Sequence, residues 1–213
     1  MNNTMRDVIL WAAASYLIGS FPTGYVITKL FHRDANGKRD HLDIRSIGSG
    51  AIGATNVGRA MGFGWARFTA VFDMLKGAFA LLMAVHLVPE ESRVLIMAVA
   101  ALGVVIGHNY PVWLGFKGGK GIATTYGTLF FIWPYESFAV VLLCGALWYV
   151  LMKTTRYVSV ASMLSTAAMP VGFAMLGAPK EFIIISAILA ALCVFRHRTN
   201  IVRLIHGNEN RLK

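Results

Sequence analysis

Apolar residues along this chain fall in long blocks rather than in alternating or heptad patterns. Blocks close to the roughly 17 to 25 residues that a hydrocarbon core demands lie near 8–31, 69–88, 94–113, 138–152, 158–177 and 182–195, and a shorter one lies at 122–133. The blocks predict an all-α, polytopic integral membrane protein with seven transmembrane helices and one membrane-embedded domain over 1–213. An odd number of crossings puts the termini on opposite sides. The first block is too long for a secretory signal and lacks a small-residue cleavage site, so it reads as a first span.

The polar segments between blocks are unequal. Pro89-Glu90-Glu91-Ser92, Pro134-Tyr135-Glu136 and Ala178-Pro179-Lys180-Glu181 are short connectors on one side. Segments on the other side are longer and carry Ser, Thr, Asn, His, Arg and Lys, so chemistry is expected there. Charge orients the chain. Arg6, Arg93 and Lys180 fall on the side of the short turns, and the other seventeen of the twenty Lys and Arg on the opposite one. The positive-inside rule makes that side cytoplasmic, with the N-terminus outside and the C-terminus inside. Residues 196–213 place Ile201, Leu204 and Ile205 at helical spacing among basic residues, which suits a helix lying on an anionic leaflet.

Composition agrees with the pattern: 56% of residues are hydrophobic and 14% charged, against about 25% charged in soluble domains. The net charge of +10 belongs to the cytoplasmic face, and nucleic acid is not needed to explain it. Cys144 and Cys193 lie far apart in apolar blocks, without a second ligand near either, so neither a disulfide nor a metal site is expected.

Four cationic, hydroxyl-bearing segments share the cytoplasmic side. In GHNYPVWLGFKGGKGIATT, residues 107–125, Gly115, Gly118, Gly119 and Gly121 allow tight folding with several N–H groups turned to one point, and Lys117 and Lys120 add charge. Phosphate is the expected guest, although lysines in a cytoplasmic turn also satisfy the charge bias alone. In DIRSIGSGAIGATNVGRAMG, residues 43–62, Ser49, Thr55, Asn56 and Arg59 supply hydroxyls, an amide and a forked cation. Glycines there could also serve close helix packing, but Asn56 and Arg59 would then need polar partners. The remaining two are KTTRYVSVAS, residues 153–162, and Arg196-His197-Arg198-Thr199-Asn200. Together they predict a site for more than one anionic group. Asp73 and Lys76, three apart on one helix, read as an ion pair beneath that site.

In their order and spacing, GSGAIGATNVGR, FDMLKG, GHNYPVWLGFKGGKGIAT, RYVSVAS and RHRTNI resemble the bacterial acyl-phosphate-dependent glycerol-3-phosphate acyltransferases, the PlsY family. The resemblance runs from Gly19-Ser20 to Gly207-Asn208-Glu209. It implies a seven-helix enzyme of the bacterial cytoplasmic membrane that moves a fatty acyl group from acyl phosphate to the 1-hydroxyl of glycerol 3-phosphate, giving lysophosphatidate and phosphate. It implies the lipid bilayer as surroundings and a soluble acyl-phosphate-producing enzyme as a partner; the residues themselves show no metal-ligand cluster, so neither metal nor cofactor is expected. Carried over position by position, it implies catalytic roles for Ser49, Arg59, Lys120, His197 and Asn200. Substrate contacts would come from Thr55, Asn56, His108, Lys117, Gly118, Gly119, Gly121 and Ser159. Ala51 stands where the family usually has Asn.

The chemistry suits these residues, because an acyl phosphate has a good leaving group and attack by an alcohol needs alignment and anion stabilisation more than a strong base. Two routes for the proton stay open: a substrate phosphate oxygen, or His197 kept neutral by its arginine neighbours. No histidine is followed five positions later by Asp, which disfavours the soluble-type acyltransferases with a His-Asp dyad. GFKGGKG lacks the Ser or Thr of a nucleotide P-loop. A small transporter of phosphate or organic phosphates is the alternative. It would need polar residues through the outer halves of the spans, where Phe79–Val88 holds only His86 and Leu164–Leu176 only Ser165 and Thr166.

Overall fold

Proline and glycine punctuate the apolar blocks, and the helices follow their placement. The computed structural model describes residues 3–133 and 136–212; Pro134 and Tyr135 of the expected outer turn lie outside the described residues, as does Lys213. The described residues form ten α-helices: α1 (Asn3–Gly19), α2 (Thr23–Phe31), α3 (Ala54–Met61), α4 (Phe63–Leu87), α5 (Glu90–Asn109), α6 (Ile122–Phe130), α7 (Glu136–Thr155), α8 (Val158–Met175), α9 (Lys180–Arg196) and α10 (Arg198–Ile205). Pro89 and Pro179 immediately precede α5 and α9, where a missing N–H loses nothing.

Two elements differ from the sequence pattern. The block at 8–31 is split into α1 and α2 at Ser20–Pro22, because proline lacks an N–H and forces the preceding residue out of helical geometry. The block at 122–133 yields a nine-residue helix, which rises only about 14 Å, under half of a hydrocarbon core. Its apolar composition marked a buried segment but not a long one. Among the described residues four helical stretches, α4, α5 with the turn that follows it to Leu114, α7 and α8, are each long and apolar enough to cross a membrane. The α9–α10 pair would be a fifth but bends by 55° at His197.

α5 is the axis of the bundle and packs against α1, α4, α6 and α9. Its contact with α1 is made by small residues: Gly103 meets Ala12 and Ser15, and Gly107 meets Tyr16 and Ser20. The rising register on both helices makes them parallel, so α1 and α5 end on the same side. Without a hydrophobic force between helices in lipid, such close backbone approach supplies the dispersion contact that holds them. Leu81, Ile96, Val104, Leu129, Met169, Phe173 and Leu189 fill the core around this axis.

A second, small apolar cluster of Ile44, Ile52, Val57 and Leu114 lies where the loop before α3 docks on the loop after α5. A bond from Arg45 Nη1 to the Leu114 carbonyl, 3.2 Å, ties the same two loops. The C-terminal ends of α5 and α9, the N-terminal ends of α6 and α8, and α3 therefore gather at one end of the bundle.

A Cβ at position 107 would overlap the Tyr16 carbonyl oxygen, whereas one at Gly64 meets nothing within 4 Å. Gly107→Val is expected to cost about 1–3 kcal/mol or more by forcing α1 from α5, read as a lower thermal midpoint in detergent. Gly64→Ala should stay within about 0.5 kcal/mol of the parent.

Candidate active site

The glycine loop is held from both sides. The N–H groups of Gly118 and Gly119 donate to the carbonyls of Asn109 and His108 at 3.2 and 3.0 Å, closing the end of α5. Arg196, at the end of α9, donates to the Gly119 carbonyl through Nε at 3.1 Å and Nη2 at 2.7 Å, and stacks on Tyr110. In a trans peptide the N–H opposes the carbonyl, so the Lys120 N–H points away from Arg196. Gly121 then adopts φ +80° and opens α6, whose first N–H groups have no helical acceptor. This alters the expectation for Gly118 and Gly119. Their amides serve the loop, and the open donors are those from Lys120 onward.

Three of the expected residues, Lys120, Asn200 and Ser159, share one hydrogen-bonded network. Lys120 Nζ donates to Asn200 Oδ1 at 2.5 Å, and Asn200 Nδ2 donates to Glu209 Oε1 at 2.6 Å. Ser159 Oγ donates to the same oxygen at 2.9 Å, and Arg203 Nε reaches Glu209 Oε2 at 2.7 Å. Asn200, Ser159 and His197 are buried at the ends of α10, α8 and α9. Glu209 lies beyond α10 and is brought back by the tail: the Leu212 N–H donates to the Arg156 carbonyl, and Arg211 Nε donates to the Tyr157 hydroxyl. Sequence reasoning gave Glu209 no role. It was one acid in a polar tail, and only the fold shows that it is 8% exposed.

Electrostatics follow from this crowding. All three titrating groups lie beyond the spanning helices. Burial lowers the Lys120 ammonium to about 8, and Arg203 and Arg59 push the same way against Glu209. Burial and the Lys120 charge lower His197 to about 4, so it is neutral at pH 7. Burial raises the Glu209 carboxyl, but bonds from Asn200, Arg203 and Ser159 outweigh it and leave it low. His197 Nδ1 is 2.8 Å from the Cys193 carbonyl. A carbonyl only accepts, so Nδ1 carries the hydrogen and Nε2 keeps a lone pair.

The first motif borders this network. Ser49, Thr55 and Arg59 are exposed, and Arg59 is near enough for its charge to act on Lys120. Asn56, expected as a substrate contact, is buried with its amide engaged. Oδ1 accepts from the Ser49 N–H at 3.1 Å, and Nδ2 donates to the Ile44 and Ile47 carbonyls at 3.0 and 3.1 Å. It shapes the loop that presents Ser49. Lys117 is exposed.

His108 faces inward, onto Lys76. The expected pair is present, with Lys76 Nζ 2.9 Å from Asp73 Oδ1. Asn109 was not singled out from sequence, yet both atoms of its amide are buried without a hydrogen-bond partner, beside Gly121. Among the described residues no three His, Cys, Asp or Glu side chains group as a metal site.

A cationic, glycine-looped site at one end of an apolar helical bundle defines a membrane protein built to hold anions. Comparison with known proteins gives the family. The glycerol-3-phosphate acyltransferase model matches residues 9–207. Curated glycerol-3-phosphate acyltransferases of Gloeobacter violaceus and Paramagnetospirillum magneticum are 40% and 41% identical, over 95% and 98% of this chain and 93% and 95% of theirs. The crystal structure of PlsY (YgiH), an integral membrane glycerol 3-phosphate acyltransferase in its glycerol 3-phosphate form, superposes with a TM-score of 0.84. It is 35% identical over 97% of this chain and 96% of that one. Its lysophosphatidic acid form gives a TM-score of 0.81 at 34% identity, over 97% and 95%. The chain belongs to the glycerol-3-phosphate acyltransferase family.

If Lys120 grips an anion as its ammonium, kcat/KM for glycerol 3-phosphate is full below about pH 8 and falls toward tenfold per unit above it. The group is protonated below its lowered pKa of about 8 and neutral above. Lys120→Arg should flatten that limb, since a guanidinium stays charged.

Proposed function

We propose that this glycerol-3-phosphate acyltransferase uses fatty acyl phosphate as donor, on the cytoplasmic face of the bacterial inner membrane. The observation that carries the reading is the Lys120–Asn200–Glu209 network, which sets several cations against a single carboxylate: the phosphate of glycerol 3-phosphate calls for part of that charge, and a leaving phosphate on the acyl donor would use the rest, where a thioester sulfur at the same place would not. In this reading Lys120 and the open N–H groups of α6 hold one phosphate. Arg59 holds the other, with Ser49 beside it and Thr55 and Lys117 at the entrance. Ser159 and Glu209 keep Asn200 fixed. The seventeen-to-three distribution of Lys and Arg supports a cytoplasmic site and an external N-terminus. Seven crossings follow if α6 and the residues after it together complete one passage. A soluble acyl-phosphate-producing enzyme would meet the same basic face.

The hydroxyl oxygen of glycerol 3-phosphate attacks the acyl carbon, the carbon–oxygen bond to phosphate breaks, and phosphate leaves with the electron pair. Neutral His197 aligns the acceptor through its Nε2 lone pair, which takes a hydrogen bond from the 2-hydroxyl, so the attacking 1-hydroxyl keeps its own hydrogen free for a phosphate oxygen. The proton goes to a phosphate oxygen: a phosphate with a second pKa of about 6 is more basic than His197 at about 4. The acyl chain arrives from the bilayer. A cleft of about 430 Å³ between α4 and the α1–α2 elbow, lined by Ile18, Phe21, Phe72, Leu75 and Phe79, and one of about 250 Å³ between α4 and α6 give it apolar wall.

Purified protein given palmitoyl phosphate and glycerol 3-phosphate should release inorganic phosphate and form lysophosphatidate. It should do neither with palmitoyl-CoA. Activity with the CoA thioester alone would refute the donor assignment. His197→Gln separates the proton routes: loss of alignment lowers kcat by about tenfold or less, whereas loss of a general base lowers it by about 10²–10⁴.

A further inference from the structure

The buried cluster of Asp73, Lys76 and His108 lies outside the network that contacts the anions, yet it touches the glycine loop. Lys76 is on α4 and only 9% exposed. Its ammonium is 2.9 Å from Asp73 Oδ1, 3.1 Å from the Phe21 carbonyl at the α1–α2 elbow and 2.9 Å from His108 Nδ1. The contact with Asp73 is ionic, without an aligned hydrogen bond. An ammonium has no lone pair, so at 2.9 Å the His108 Nδ1 must be the acceptor. A hydrogen on Nδ1 would point at the ammonium, and Asp73 Oδ1 is 3.5 Å away, too far to draw it off. His108 is therefore neutral with its hydrogen on Nε2.

Where that hydrogen goes is decided by Gly119. A Cβ at position 119 would overlap His108 Nε2, so the absent side chain leaves the place that Nε2 occupies. The Gly119 N–H returns to the His108 carbonyl at 3.0 Å, which fixes loop and ring to each other. The loop thus meets His108 at both its backbone and its ring, and among the described residues Nε2 has no hydrogen-bond partner.

We propose that Asp73 and Lys76 are positioning residues that hold His108 as its Nε2–H tautomer, so that Nε2–H is a neutral donor to the phosphate carried by the glycine loop. This rests on the reading that the loop holds a phosphate. Lys76 supplies the donor that empties Nδ1, and Asp73 balances its charge inside the bundle. A neutral donor adds a bond to phosphate without adding another cation to a crowded site.

The test is ring ¹⁵N NMR of full-length protein labelled at histidine, in lipid nanodiscs, with the His108 signals identified by their loss in His108→Gln. Nδ1 should show as unprotonated and Nε2 as protonated. Glycerol 3-phosphate or inorganic phosphate should move the Nε2 signal, and Lys76→Met should mix the tautomers. A hydrogen on Nδ1, or an Nε2 signal unmoved by saturating glycerol 3-phosphate and by inorganic phosphate, overturns the proposal. Kinetics give a second arm that needs no Lys76 variant to fold. His108→Ala should raise the KM of a phosphate substrate about tenfold or more with less change in kcat. His108→Gln, which returns an N–H near the Nε2 position, should recover most of that loss. A wild type that turns over while both variants fall equally overturns the tautomer role and leaves the acyl-transfer reading standing. A wild type inert with acyl phosphate contradicts the donor assignment, while the NMR result still decides the tautomer.

Discussion

One carboxylate holds the cationic end of this bundle together. Glu209 accepts from Ser159, Asn200 and Arg203 at once, and through Asn200 it fixes Lys120. Remove that charge and Lys120, Arg203 and Arg59 face one another in a partly buried space with nothing to offset them. Even with it present the site stays short of negative charge: burial lowers Lys120 to about 8 and His197 to about 4, and Arg203 and Arg59 push Lys120 the same way against Glu209. The deficit is an affinity for anions built into the protein before any substrate arrives, and it needs no rearrangement when charge develops.

Rigidity of the glycine loop is the second requirement. Arg196 fixes its carbonyls, the end of α5 takes its first N–H groups, and His108 backs Gly119. The anchors come from two helices, α5 and α9, so the loop keeps its shape only if those two keep their register. The tight α1–α5 contact through Gly103 and Gly107 thus matters to the chemistry although it lies along the apolar shaft. Ordering the donors in advance removes part of the entropy that binding would otherwise lose.

Much of this was legible from sequence because membranes impose simple rules. Block length gave the long helices, and the motif residues Lys120, His197, Asn200 and Ser159 converge as their shared side required. The Asp73–Lys76 pair was also legible, from spacing alone. What stayed hidden depends on where backbone groups go. Nothing in FPTG announces how far α1 and α2 diverge. Asn56 looked like a donor for substrate because a sequence cannot show that its amide is consumed by Ile44, Ile47 and Ser49. Gly118 and Gly119 looked like phosphate donors for the same reason. Glu209 was invisible as a hub, since its role needs the tail to fold back on α8, and Asn109 since its burial comes from tertiary packing. Membership of the glycerol-3-phosphate acyltransferase family fixes the acceptor reaction. The donor, the sidedness and the role of each residue rest on physical argument.

Binding measured as thermal stabilisation tests the central claim, a preformed deficit of negative charge at the Lys120–Glu209 network, most directly. Purified protein would be melted with increasing glycerol 3-phosphate, with inorganic phosphate and with glycerol. The account predicts stabilisation by the first two that rises with the logarithm of concentration, reaching about 2.7 kcal/mol at a hundredfold excess over Kd, weakened by added salt and absent with glycerol. Equal stabilisation by glycerol, or none by either phosphate, would contradict it.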